Sequence, residues 1–189
     1  MADGRDSGIT RRAEEVRRLY AELNRACDHR GNPGSPEWHR WEVTADLFNS
    51  GLEEFYGPFE RAADSLRDSD DELETAIQFL EADPWCHRSG YMKLKMLRRV
   101  TKWPSLRRYQ ARLEDVVILR LTNPEPGLLV PTARLAAELW SVQLRHRVHE
   151  VRRTGTPAQR SAAQRLVLCV DELQRAGLPG AQGRPAVGG

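Results

Sequence analysis

Apolar residues recur every three or four positions along almost the whole 189-residue chain, and this spacing constrains the fold more than any other feature. The period is that of an amphipathic α-helix, in which one face is buried and the other is solvated. No stretch alternates apolar and polar residues for long enough to indicate a β-strand. The sequence therefore predicts an all-α protein.

Glycine, proline and capping residues divide the chain into helices. Ser35-Pro36 and Thr156-Pro157 are typical helix starts, with an N-cap hydroxyl followed by proline in the first turn. Gly57-Pro58 predicts the end of a helix or a kink. The predicted helices cover residues 9–30, 36–56, 59–67, 69–83, 89–102, 104–122, 131–153 and 157–176.

Short connections between these helices favour antiparallel neighbours. We expect about seven to eight antiparallel helices as stacked helical hairpins, in a HEAT-like array or an irregular bundle. The length and the 40% hydrophobic content suit a single helical domain over residues 1–176. The Gly/Pro-rich segment 177–189 is predicted to be a disordered tail.

Charge is strongly segregated along the chain, although the net charge is only +2. Residues 31–86 contain fourteen acids and three Lys or Arg, whereas residues 87–113 contain nine Lys or Arg and no acid. The basic stretch also carries apolar residues at helical spacing, which predicts two basic amphipathic helices broken at Trp103-Pro104. This switch from acidic to basic is the main functional signal in the sequence.

Three interpretations of the basic stretch remain open. Its cations pair with the acidic helices of the same fold, bind an acidic surface of another protein or a second copy, or bind nucleic acid through helices 88–112. Tyr91, Trp103 and Tyr109 would stack on bases if they were exposed. Trp85 either fills the joint between two hairpins or anchors a partner. The candidate partner-binding residues are Arg88, Lys95, Arg98, Arg99, Lys102, Arg108, Arg112 and Trp85.

Motifs for catalysis or cofactor binding are absent from the sequence. His146, His149 and Glu150 share one helix face at metal-ligand spacing, but neither HExxH nor paired Glu-x-x-His accompanies them. Cys27-Asp28-His29 and Cys86-His87 lack the spacing of a zinc knuckle. We therefore expect no cofactor and no metal, and a metal enzyme around His146, His149 and Glu150 is the weakest alternative.

Composition also gives an expectation for the cellular compartment. The three cysteines are far apart and form no CxxC pair, which favours a reducing environment. The N-terminus shows no signal-peptide pattern, and the longest apolar runs are too short to span a bilayer. We expect a cytoplasmic protein with no membrane partner.

The functional prediction is a non-enzymatic helical protein–protein interaction or adaptor module. It would use the acidic segment 31–86 and the basic segment 87–113 as its two charged surfaces. The alternative, from a different class, is a nucleic-acid-binding protein that uses the basic helices 88–112.

Overall fold

Eight α-helices and one 3₁₀-helix make up the described part of the chain, residues 6–64 and 69–177 of the computed structural model. No strand occurs within these ranges, so the all-α prediction is confirmed. The helices are α1 (Asp6–Asp28), α2 (Pro36–Asp64), α3 (Asp70–Ala82), α4 (Ser89–Val100), the 3₁₀-helix (Leu106–Tyr109), α5 (Gln110–Thr122), α6 (Leu129–Leu139), α7 (Val142–Thr154) and α8 (Pro157–Arg175). Within the same ranges, no helix has the length and apolar character needed to cross a membrane. The predicted tail beyond Gly177 lies outside the described residues.

The chain divides into two compact units, and the division falls between Met92 and Lys93, inside α4. In the N-terminal unit, α1, α2 and α3 pack against one another. In the C-terminal unit, α5 packs against α6, α7 and α8, and α8 also packs against α6 and α7. Two compact units are compatible with one domain or with two, so the single-domain expectation stays a prediction.

Aromatic side chains of α2 and α3 form the centre of the N-terminal unit. Phe55 and Phe59 of α2 are buried, and the rings of Phe59 and Phe79 lie 4.6 Å apart between centroids. Leu73 and Ile77 of α3 are completely buried beside them. Burying a large apolar side chain contributes about 2–3 kcal/mol, so this cluster fixes α2 against α3.

The helix α2 continues through Pro58, where the sequence predicts an end or a kink. Proline removes one backbone hydrogen bond from a helix interior, at a cost of about 3 kcal/mol. Phe55, Tyr56 and Phe59 surround Pro58 in the sequence, and all three are buried. Because several buried aromatic side chains outweigh one lost hydrogen bond, a single helix forms. The prediction of separate helices over residues 36–56 and 59–67 is wrong.

The prediction of one helix over residues 131–153 is also wrong, because two helices cover this region. α6 ends at Leu139, Trp140 has a ψ of 69°, and Ser141 is the N-cap of α7. The Ser141 hydroxyl oxygen accepts a hydrogen bond from the Leu144 N–H at 2.9 Å and donates to Glu114 Oε1 at 2.9 Å. A serine that caps a helix and also binds a buried carboxylate explains why the break occurs at this position.

N-cap side chains begin α3 and α8, and α8 starts at the predicted Thr156-Pro157 pair. The Ser69 hydroxyl accepts a hydrogen bond from the Glu72 N–H at 3.3 Å at the start of α3. Thr156 and Gln159 form a reciprocal capping box at the start of α8, with Pro157 in the first turn. Gly177, which follows α8, has a φ of 68°, a left-handed value that glycine adopts without strain.

We expect Ser141→Ala to lower the free energy of unfolding by about 1–2 kcal/mol, because it removes an N-cap and leaves the buried Glu114 with one donor fewer. Urea denaturation followed by circular dichroism measures the effect. Ser161→Ala, at an exposed position inside α8, is the matched control and should change stability by less than about 0.5 kcal/mol. Equal stability of the two variants would contradict the capping role of Ser141.

Candidate functional site

The connection between α3 and α4, residues 83–88, presents Trp85 at the surface of the N-terminal unit. Asp83 begins it with a φ of 46° and Arg88 ends it with a φ of 64°. Left-handed conformations cost non-glycine residues on the order of 1 kcal/mol each and persist where surrounding contacts enforce them. The contacts of this connection therefore decide where Trp85 points.

Tyr56 of α2 is the main anchor of the connection. Its hydroxyl donates to the carbonyl oxygen of His87 at 2.6 Å and lies 3.2 Å from the sulfur of Cys86. The Cys86 N–H donates to the Ser89 hydroxyl at 3.2 Å, and Ser89 is buried. Ser89 is the first residue of α4, and its hydroxyl binds the backbone of the preceding connection. These bonds fix the backbone on the C-terminal side of Trp85.

Trp85 is 73% exposed, although its backbone is held firmly. The Arg17 guanidinium of α1 lies 6.0 Å from the Trp85 ring centroid. Tyr20, one turn along α1, is partly exposed and stacks on the His87 ring at 4.8 Å. We call Arg17, Tyr20, Trp85, His87 and Arg88 the Trp85 patch. Sequence reasoning missed Arg17 and Tyr20, because only the fold brings α1 to this connection.

Arg17 and Arg88 give the Trp85 patch its cationic charge. The exposed Arg88 guanidinium lies 5.9 Å from the ring centroid of Tyr91, which is also exposed. Within the described part of the chain, Arg88 forms no ion pair. Arg17 forms a weak, exposed pair with Glu14 at 3.5 Å. The patch therefore combines an exposed aromatic side chain with positive charge.

The predicted partner-binding residues are distributed over both units. Trp85 and Arg88 belong to the N-terminal unit, and the C-terminal unit contains Lys95, Arg98, Arg99, Lys102, Arg108 and Arg112. Lys95, Arg99, Arg108 and Arg112 already interact with other groups of the chain. Arg98 and Lys102 are exposed, four residues apart, and form no ion pair among the described residues.

Lys93 does not belong to the basic surface, although the sequence count includes it. It is only 1% exposed, and its ammonium group lies 2.5 Å from Glu125 Oε1. The same carboxylate oxygen accepts from Arg120 Nη1 at 2.9 Å, and Arg120 is also buried. The sequence does contain a signal for this burial, since Met96 and Val100 follow Lys93 on the same helix face. Lys93 therefore contributes to the interior of the C-terminal unit.

The aromatic side chains that would stack on bases are mostly covered. Trp103 is buried, with the Arg99 guanidinium 4.8 Å from its ring centroid. Tyr109 is half-buried, and Arg112 lies 5.9 Å from its ring centroid. Tyr91 is the one member of the predicted trio that is exposed. A nucleic-acid surface of the predicted kind would have a single stacking platform.

The weakest candidate site lies on α7. His146 and His149 are exposed, and the Glu150 carboxylate binds Arg153 Nη2 at 2.7 Å. Among the residues that the structure describes, no three His, Cys, Asp or Glu side chains are grouped so as to hold a metal ion. The three side chains of the predicted metal site are therefore arranged as an ordinary solvated helix surface.

Comparison of the chain with protein-family models, with curated proteins and with solved structures finds no match. Relatives therefore contribute nothing to the functional argument. The function is therefore inferred from the geometry of the Trp85 patch and of the exposed cations.

Titration of Tyr56 provides a test of its anchoring role. Burial first, and then the hydrogen bond with Cys86, raise the pKa of Tyr56 far above its usual 10.0. The folded chain holds the Tyr56 proton more tightly than the unfolded chain does. The contribution of Tyr56 to the free energy of unfolding is therefore fully present below about pH 10 and decreases as the pH rises above that value. We expect the unfolding free energy of the wild type to fall more steeply above about pH 10 than that of Tyr56→Phe.

Urea denaturation at about pH 8, 10 and 11 measures this difference. Tyr91→Phe is the matched control, because it removes the same hydroxyl from an exposed tyrosine and should leave the free energy of unfolding at neutral pH unchanged. At neutral pH, Tyr56→Phe should also cost about 1–2 kcal/mol for the lost hydrogen bond. Parallel pH profiles for the wild type and Tyr56→Phe would show that Tyr56 is not the anchor.

Glu125→Gln tests the buried charge cluster of the C-terminal unit. The substitution removes the carboxylate that binds both Lys93 and Arg120, so we expect a loss of about 3 kcal/mol in the free energy of unfolding. Asp115→Asn is the control, since the Asp115–Arg147 pair is largely exposed and should contribute less than about 1 kcal/mol. Thermal denaturation measures both variants, and similar losses would contradict the assignment of Lys93 to the interior.

Proposed function

We propose that this chain is a non-enzymatic protein–protein interaction or adaptor module that binds an acidic surface of another protein. The observation that carries the proposal is the presentation of Trp85, which is 73% exposed on a hydrogen-bonded connection, with the Arg17 guanidinium 6.0 Å from its ring centroid and the exposed Arg88 three residues further along the chain. The partner surface would combine an apolar pocket for the indole ring with nearby carboxylates. A cytoplasmic location, argued from the cysteine pattern, belongs to the same proposal.

An exposed tryptophan is unusual on a protein surface and is often buried when a partner binds. Its side chain removes on the order of 150 Å² of apolar surface from water when a partner covers it. Tryptophan and arginine are also the side chains that most often dominate binding energy. Because Tyr56 and Ser89 already fix the connection, binding costs little additional ordering of the backbone.

The basic residues of the C-terminal unit support the proposal through charge. Arg98 and Lys102 are exposed and are available for direct contacts with carboxylates. Lys95, Arg99, Arg108 and Arg112 add to the positive potential while they keep their contacts within the chain. Such potentials mainly raise association rates and select partners of opposite charge. The proposal does not depend on whether the helices form a HEAT-like array.

Quantitative capture of proteins on the immobilised full chain, followed by affinity measurement with the purified partner, tests the proposal. We expect Trp85→Ala to weaken binding by about 30-fold, which corresponds to about 2 kcal/mol for an anchor residue. Val142→Ala, at an equally exposed apolar position in α7, is the control and should bind as the wild type does. A folded Trp85→Ala variant that binds every captured protein normally would refute the proposal.

Charge reversal gives an independent readout of the contribution of the exposed cations of the C-terminal unit. Arg98→Glu should slow association several-fold at low salt, whereas Arg145→Glu on the exposed face of α7 should not. The nucleic-acid alternative is tested with a mixed pool of labelled DNA and RNA at about 50 and 200 mM salt. Tight binding at low salt that falls by tens-fold at the higher salt would favour the alternative.

A further inference from the structure

A straight stripe of exposed residues runs along α2 in the N-terminal unit. Its members follow one another at spacings of four and three residues, which places them on one face of the helix. They are Pro36, Arg40, Val43, Leu47, Ser50 and Glu54, and all are exposed. This spacing is typical of the contact line between two packed helices.

The apolar centre of the stripe is unusually exposed for a helix within a packed unit. Val43 is 60% exposed and Leu47 is 56% exposed. Val43 also borders a cavity of about 550 Å³ between the C-terminal end of α1 and the N-terminal end of α2, which Ala26 and Pro36 line as well. The stripe is therefore an apolar ridge beside an open groove, a shape that accepts a second helix.

The charges on the stripe indicate that the second helix is α2 of another copy of the chain. Arg40 lies seven residues before Leu47, and Glu54 lies seven residues after it. When two copies of α2 are placed antiparallel with Leu47 opposite Leu47, each Arg40 faces the Glu54 of the other copy. Val43 then lies near Ser50, whose small side chain leaves room for it. A parallel arrangement would instead place like charges opposite each other.

We propose that the chain forms a two-fold symmetric homodimer through antiparallel packing of α2 against α2 of a second copy. Isologous dimers need a surface that is complementary to itself, and the stripe meets this condition in both shape and charge. Glu54 forms no ion pair among the described residues, and Arg40 is engaged only in an exposed pair with Glu37 at 3.2 Å. Both side chains are therefore available to the second copy.

The apolar centre contributes two side chains from each copy, so the dimer is expected to have a micromolar dissociation constant, at the weak end of specific interfaces. The dimer would display two Trp85 patches and so raise the avidity for a multivalent partner. The homodimer itself stands independently of the proposed partner-binding function. Trp85→Ala should leave the dimer unchanged, which makes failure of one proposal distinguishable from failure of the other.

Sedimentation equilibrium of the full chain, from about 1 to about 500 µM, measures the dimer. Arg40→Glu alone and Glu54→Arg alone should each weaken dimerisation on the order of tenfold, because two attractive pairs become repulsive. An equimolar mixture of the two single variants should dimerise better than either variant alone, since both pairs of the mixed dimer are again of opposite charge. The double variant should recover the wild-type affinity.

Glu53→Arg is the matched control, since it changes charge on the same helix one position away from the stripe and should have less than about a twofold effect. Leu47→Gln should also weaken the dimer, and circular dichroism checks that each variant is folded. A monomeric wild type at the highest concentration would overturn the proposal. Dimerisation that responds equally to Glu53→Arg and Glu54→Arg, or that the mixture fails to restore, would overturn it as well.

Discussion

The hydrogen bond from the Tyr56 hydroxyl to the carbonyl oxygen of His87 determines the geometry on which the functional argument depends. It joins α2 to the connection that follows α3, and the Tyr56 side chain is buried together with the aromatic cluster of the N-terminal unit. Two left-handed residues, Asp83 and Arg88, are maintained at the ends of the same connection. Because hydrogen bonds from Tyr56 and Ser89 hold the backbone of this connection, the Trp85 side chain stays exposed at the surface. Packing of α2 against α3 thus helps to set the exposed position of Trp85.

Only some of the cations that the sequence groups together in residues 87–113 are exposed without an ion pair among the described residues. Lys93 enters the interior of the C-terminal unit as the partner of Glu125, and Arg99 and Arg112 lie over aromatic rings. Arg98 and Lys102 are exposed without an ion pair among the described residues. A count of cations therefore overestimates the surface that is free to meet a partner.

Local signals made most of the fold predictable. The helical period and the capping residues of α3 and α8 act over a few positions, so the sequence shows them directly. The break at Ser141 was missed because the apolar period continues through it, and the buried partner Glu114 is distant in sequence. The continuity of α2 through Pro58 depends on contacts with Phe79 of another helix. Two of the five residues of the Trp85 patch, Trp85 and Arg88, were predicted, whereas Arg17 and Tyr20 reach it only through the packing of α1.

The most direct test of this account is acrylamide quenching of tryptophan fluorescence in the wild type and in Trp85→Phe. The chain contains five tryptophans; Trp103 is buried, and Trp38, Trp41 and Trp140 are half-buried. The account predicts that the most accessible emission belongs to Trp85 and disappears in the variant, with the remaining emission quenched weakly. Unchanged quenching in a folded variant would mean that the Trp85 side chain is covered in solution, which would contradict its proposed role in partner binding.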